Sequence, residues 1–187
     1  MTCPDPAPGT LGPFSGTLGG ALWQPVDVFS RKDGINYNWQ YPAVLTDRGA
    51  GPGHGGACER YRNNQRVGGE RWLVLALTAG DLLWSDAPYP PATPEAPFRL
   101  EHNVVVYHPD GGSVGYKLVV TRVLHSQRCH AAEANPSSGY VDFTQIDDAG
   151  LAGYVALDFG GEHIEGDFTA PACALCVPRP TKLACLD

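Results

Sequence analysis

The sequence predicts an all-β fold, an antiparallel β-sandwich of about eight or nine strands stapled by disulfides. Short runs alternate apolar and polar residues, and each is bounded by Gly, Pro, Asn or Asp. Gly 23 and Pro 17 in 187 residues favour turns over long helices. No stretch repeats apolar residues at the spacing of an amphipathic helix. Unequal strands and two long loops favour a sandwich over a barrel. Residues 1–187 read as one domain, long enough to bury its own core, with an irregular cysteine-containing tail at 171–187.

Along the chain, "FSGTLGGALWQPVDVFSR" (14–31) reads as a hairpin turning at Gly19-Gly20. "INYNWQYPAVLT" (35–46) is a strand broken or bulged at Pro42, because proline cannot donate to a ladder. Residues 47–70 are a long polar loop that Cys58 ties down. "RWLVLALTA" (71–79) is apolar almost throughout, as a strand buried on both faces must be. "DAPYPPATPEAP" (86–97) is a proline-rich surface excursion, and residues 98–125 form a hairpin around Asp110-Gly111-Gly112. After the loop "RCHAAEANPSS" a three-strand meander runs through 140–169.

The meander ends in "YVALDFGGEHIEGDF" (154–168), two alternating runs around Gly160-Gly161. A two-residue Gly-Gly loop suits a primed turn, since both positions accept positive φ. That register pairs Phe159 with Glu162, Asp158 with His163, Leu157 with Ile164 and Ala156 with Glu165. The apolar side chains then share one face, while Asp158, His163 and Glu165 share the other.

Composition sets the class. The formal charge of −7 offers no basic stripe to neutralise phosphates, which argues against nucleic acid. No apolar run is long enough for a transmembrane helix. Six cysteines (Cys3, Cys58, Cys129, Cys173, Cys176 and Cys185) sit in loops or near the ends, which reads as three disulfides in an oxidising compartment. Fifteen pairings are open, and the short-loop pair Cys176–Cys185 and the loop-to-loop pair Cys58–Cys129 are the simplest guesses. The start Met1-Thr2-Cys3-Pro4 reads as an N-terminus from which a signal peptide has been removed. Cys3 has a second reading, as the lipidated N-terminal cysteine of a native precursor.

Three groups of residues are candidate sites. Asp158, His163 and Glu165, with Asp142 or Asp167 nearby, could converge on a divalent ion across the hairpin. The plainer reading is a solvated strand face. Asn36, Asn38 and Gln40 form an amide row able to read sugar hydroxyls, with Trp84 and Tyr89 from the proline-rich loop stacking on the ligand. The plainer reading makes Tyr37, Trp39 and Tyr41 core and leaves the amides as exposed strand residues. Cys173-x-x-Cys176 lacks a second ligand pair for zinc, and Val177-Pro178-Arg179-Pro180 forbids the helix of a redox dithiol. There is no G-x-S-x-G elbow and no phosphate loop, and no cofactor is called for.

"SSGYVDFTQIDDAGLAGYVALDFGGEHIEGDFTAPAC" (137–173) resembles the C-terminal half of secreted or lipoprotein-type β-rich domains abundant in myxobacteria. There a strand "GxVxhT" leads to a strand ending "GxhxhxF" and then to a strand "hxGxFxAxxC". "FSGTLGGALWQPVDVFS" is similar to the start of the same domains. The resemblance implies an extracytoplasmic β-rich fold and lends no active-site residue. Cys176, Cys185 and the 47–70 loop depart from its pattern.

The leading expectation is a non-catalytic secreted or cell-surface module that binds a glycan or protein, or assembles outside the cell. The alternative is a metal-binding protein or metal-dependent hydrolase centred on Asp158, His163 and Glu165.

Overall fold

Buried side chains alternate with more exposed ones along residues 115–121 and 163–170, while residues 41–46 and most of 71–79 are buried on both faces. The strands form two sheets around one core. The computed structural model describes residues 8–31, 33–35, 38–52, 55–80, 89–108, 114–174 and 182–186, with the backbone alone at 33–35, 38 and 39. In chain order the strands are β1 (Thr10–Gly16), β2 (Asp27–Ser30), β3 (Asp33–Ile35), β4 (Asn38–Thr46), β5 (Gln65–Val67), β6 (Arg71–Gly80) and β7 (Phe98–Glu101). They continue with β8 (Val105–Tyr107), β9 (Gly115–His125), β10 (Ala131–Ala134), β11 (Ser138–Asp147), β12 (Gly150–Asp158), β13 (His163–Pro171) and β14 (Ala184–Leu186). One helix, α1 (Ala57–Arg62), lies between β4 and β5.

The first sheet has the order β1-β13-β12-β11-β7 and the second β10-β9-β6-β4-β2, with β3 added to β4 and β8 to β9. Both sheets are antiparallel, whereas β14 and β5 form a small parallel ribbon. Phe14, Val141, Phe143, Val155, Leu157, Ile164 and Phe168 from the first sheet meet Tyr41, Leu45, Leu73, Leu75, Leu77, Tyr116 and Leu118 from the second. This is the sandwich that the alternation predicts. The fourteen described strands exceed the eight or nine expected, because half are only three or four residues long and too short to show a period.

The meander forms in the expected register, with Asp158 opposite His163, Leu157 opposite Ile164 and Ala156 opposite Glu165. Phe159 N donates to Glu162 O at 2.8 Å, and Gly160 and Gly161 take φ of 65° and 112°. Two other expectations need correction. Gly19-Gly20 does turn a hairpin, with Leu18 N donating to Ala21 O, Trp23 N to Gly16 O and Thr17 bridged to Leu22, but it is short. The flanking strands then part company, β1 pairing with β13 and β2 with β4, while Trp23 between them is buried in the core against Phe14. Nor does Pro42 break its own strand: β4 pairs with β6 through Pro42 opposite Ala76. The gap falls on the other neighbour, between β2 and β3, where Arg31 N donates to Pro42 O.

Residues 47–70 are more ordered than a polar loop. Helix α1 lies over the outer face of the second sheet, where Ala57, Cys58 and Tyr61 pack with Phe29, Val44, Trp72 and Cys173. Beneath it Arg60 and Glu70, both fully buried, form a 2.6 Å ion pair. Arg60 also donates to the carbonyls of Arg48, Gly49 and Gly55. Glu70 accepts from Thr46 Oγ1 at 2.8 Å and Val67 N at 3.1 Å. Burial pushes the Glu70 carboxyl up, but Arg60 and these donors outweigh it and hold the group below its ordinary value.

The disulfides also differ from the guesses. Cys58 pairs with Cys173 and Cys129 with Cys185. Cys173 N donates to Ser30 O, which seats the end of β13 beside β2 and under α1, where Cys58 is. The β5–β14 ribbon carries Cys185 to the left-handed turn at Cys129 (φ 57°). Sequence proximity misleads here because the partners are 115 and 56 residues apart. Cys3 and Cys176 lie outside the described residues.

Candidate functional site

The outer face of the five-stranded sheet carries a regular polar array, and no element among the described residues lies over it. With Val141, Phe143, Val155, Leu157, Ile164 and Phe168 turned inward, their alternate neighbours must point out. The pairing aligns those neighbours in rows across the strands. Arg99, Asp142, Tyr154 and Asp167 make one row over β7, β11, β12 and β13. Glu101, Tyr140, Ala156, Glu165 and Ser15 make the next. Ser138, Asp158 and His163 make a third.

Hydrogen bonds fix most of these side chains in place. His163 Nδ1 lies 2.8 Å from Asp158 Oδ1, and its Nε2 lies 3.7 Å from Glu165 Oε2. Asp158, and to a lesser degree Glu165, raise the imidazole pKa above its ordinary value. The Tyr154 hydroxyl donates to Glu165 Oε2 at 2.6 Å and Ser15 Oγ donates to Oε1 at 3.1 Å, which holds the carboxyl low. That same bond pushes the Tyr154 phenol up to about 12. Arg99 forks onto Asp142 at 2.7 and 2.6 Å while stacking 3.9 Å above the Tyr140 ring. Bidentate, stacked arginine is the geometry that holds best at a surface.

Beside this array the face sinks into a hollow of ≈ 340 Å³. Its middle is the row Asp142–Tyr154–Asp167, and its far rim carries the hydroxyls of Thr10, Thr144 and Thr169. Small residues make the depth. Ala152 lies between the threonines, and at Gly12 a Cβ would stand 2.9 Å from the Asp167 Cβ. Asp167 is exposed, and its side chain makes no hydrogen bond or ion pair among the described residues. Roughly 10 Å, two inter-strand spacings, separates its backbone from that of Asp142.

The structure thus brings Asp158, His163 and Glu165 together as the sequence leads one to expect. Their charges, however, are spent on one another and on Ser15, Ser138 and Tyr154. Among the described residues no group of three His, Cys, Asp or Glu side chains is placed to hold a metal ion. The amide row is only partly in view: Asn36 and Trp84 lie outside the described residues, as does the side chain of Asn38. Gln40 is exposed on β4 while Tyr41 is buried in the core. Tyr89 packs on the core beside Tyr41 and donates to Asp148, which fixes its ring rather than freeing it to stack. The sequence marks Asp142 and Asp167 only as neighbours of a metal, and it does not single out Tyr154, Thr144 or Thr169. The Gly160-Gly161 register aligns Tyr154 with Asp167, but the β11–β12 pairing that adds Asp142 has no local signal.

Fold and face together define a class: a disulfide-stapled antiparallel β-sandwich with one outer face covered and the other open. The disulfides fit an oxidising compartment, and no helix among the described residues is long and apolar enough to cross a membrane. Set beside known families, curated proteins and solved structures, the chain matches none.

Proposed function

We propose that the protein is a non-catalytic exported module that binds a glycan on the outer face of its five-stranded sheet. The observation that carries this reading is the hollow beside a prearranged polar array on an uncovered face. Sugar hydroxyls need paired donors and acceptors held at fixed spacing, and a rigid strand face supplies them without ordering a loop. Three threonine hydroxyls, two carboxylates and a tyrosine on a floor of small residues have that character. The volume lies at the low end of ligand sites, roughly 300–1,000 Å³, as suits a sugar ring resting on a sheet. Two disulfides, and the resemblance to secreted or lipoprotein-type domains, support export.

A screen of immobilised glycans, repeated with Thr169→Trp, tests the reading. Thr169 is exposed and its larger replacement fills the hollow, so binding should fall while the melting temperature holds. Unchanged binding in that variant would move the site elsewhere, and Gln40→Ala would then ask whether the amide row carries it.

A further inference from the structure

The charge of the hollow narrows the ligand, given that the hollow binds a glycan as proposed. We infer that it takes a saccharide bearing a protonated amine and turns away acidic sugars. The lining contains Asp142 and Asp167 and no basic side chain. Arg99, in the same row as Asp142, is committed to it through both its Nε and Nη2 and lies 3.9 Å over the Tyr140 ring. His163 is likewise committed, to Asp158 and Glu165. An anionic sugar would therefore meet carboxylates with no free cation in the lining among the described residues to offset them.

Asp167 differs from Asp142, the other carboxylate that lines the hollow. Asp142, Asp158 and Glu165 each have a partner, whereas the Asp167 side chain, beside Gly12, has none among the described residues. An ammonium placed there gains a charge-assisted hydrogen bond. The Thr169 and Thr10 hydroxyls beside it can meet ring hydroxyls. A simple basic peptide would use the carboxylate but leave the hydroxyl rim and the flat floor idle. The occupant that matches all three is an amino sugar.

Calorimetric titration tests this with three oligosaccharides of equal length: a free-amine glucosamine oligomer, its N-acetylated form and an oligogalacturonate. Weakly acidic buffer keeps the amines charged and the carboxylates ionised. The free-amine oligomer should bind about tenfold tighter than the neutral one, the scale of one charged hydrogen bond, and the galacturonate should not bind. Asp167→Asn should abolish the preference and leave the two remaining affinities equal. Equal affinity for the free-amine and N-acetylated oligomers in the native protein overturns the inference and leaves glycan binding standing. So does a preference that survives Asp167→Asn, or a lysine-rich peptide that binds as tightly as the sugar. If no saccharide of any charge binds, both proposals fall.

Discussion

The two outer faces of the sandwich are built on opposite plans. Over the seven-stranded sheet lie α1, a disulfide, a tryptophan–tyrosine layer and a buried ion pair. Over the five-stranded sheet lies nothing among the described residues, and the strands present a polar array and a hollow. An ion pair with both side chains at 0% exposure is costly to hold and worse to break, because one partner left alone is an unpaired buried charge. An ion pair half in water is worth little either way. Substitutions on the covered face should therefore change stability, and those on the open face should change binding.

The largest effect is expected from Arg60→Met. It strands Glu70 and three carbonyls and should cost about 3–5 kcal/mol in urea unfolding. A loss below about 1 kcal/mol would mean the helix is not anchored by this pair. Next comes the Cys58–Cys173 bridge, whose removal as Cys58→Ala/Cys173→Ala should cost about 2–5 kcal/mol. Free-thiol counting on the native protein checks the same feature, and reactive thiols at Cys58 or Cys173 without reductant would contradict it.

Acid should separate the faces as well. His125 is buried against Trp72, and burial holds its pKa below the ordinary value. The unfolded chain then takes up the proton first, so this group costs stability as pH falls below about 6.5. His163 runs the other way, since its pKa is raised. Its contribution is full below about 6.5 and disappears as pH rises through the folded value. With the His163 side chain 51% exposed, that contribution should stay under about 1 kcal/mol. Melting curves of His163→Ala should thus differ from the native protein in acid and coincide with it in base. A difference that grows with pH would reverse the assignment. The smallest stability effect belongs to Asp167→Asn, within about 0.5 kcal/mol, because Asp167 is exposed and unpaired.

The contrast between the faces also explains what can be read from the sequence. The hairpin from Val155 to Phe168 is legible residue by residue, since strict alternation and a Gly-Gly turn leave one register. β6 is legible as a two-faced strand because Trp72 and Val74 serve one layer while Leu73, Leu75 and Leu77 serve the other. Helix α1 is not, for six residues between Gly56 and Asn63 show no period and their helicity comes from packing. The strand crossings after Gly16 and Glu101 are also hidden, because alternation fixes which side faces the core and not which sheet a strand joins. The hollow is hidden for the same reason. The hairpin register aligns Tyr154 with Asp167, but Asp142 joins them only through the β11–β12 register, which no local signal sets.

Amide chemical shifts of the labelled protein, tracked during titration with the free-amine glucosamine oligomer, test most directly whether the open face is the working surface. If it is, changes should concentrate at Thr10, Thr144, Tyr154, Asp167 and Thr169, with α1 and Gln40 unmoved. Changes centred on Gln40 and the strand around it, with the five-stranded sheet silent, would contradict that assignment.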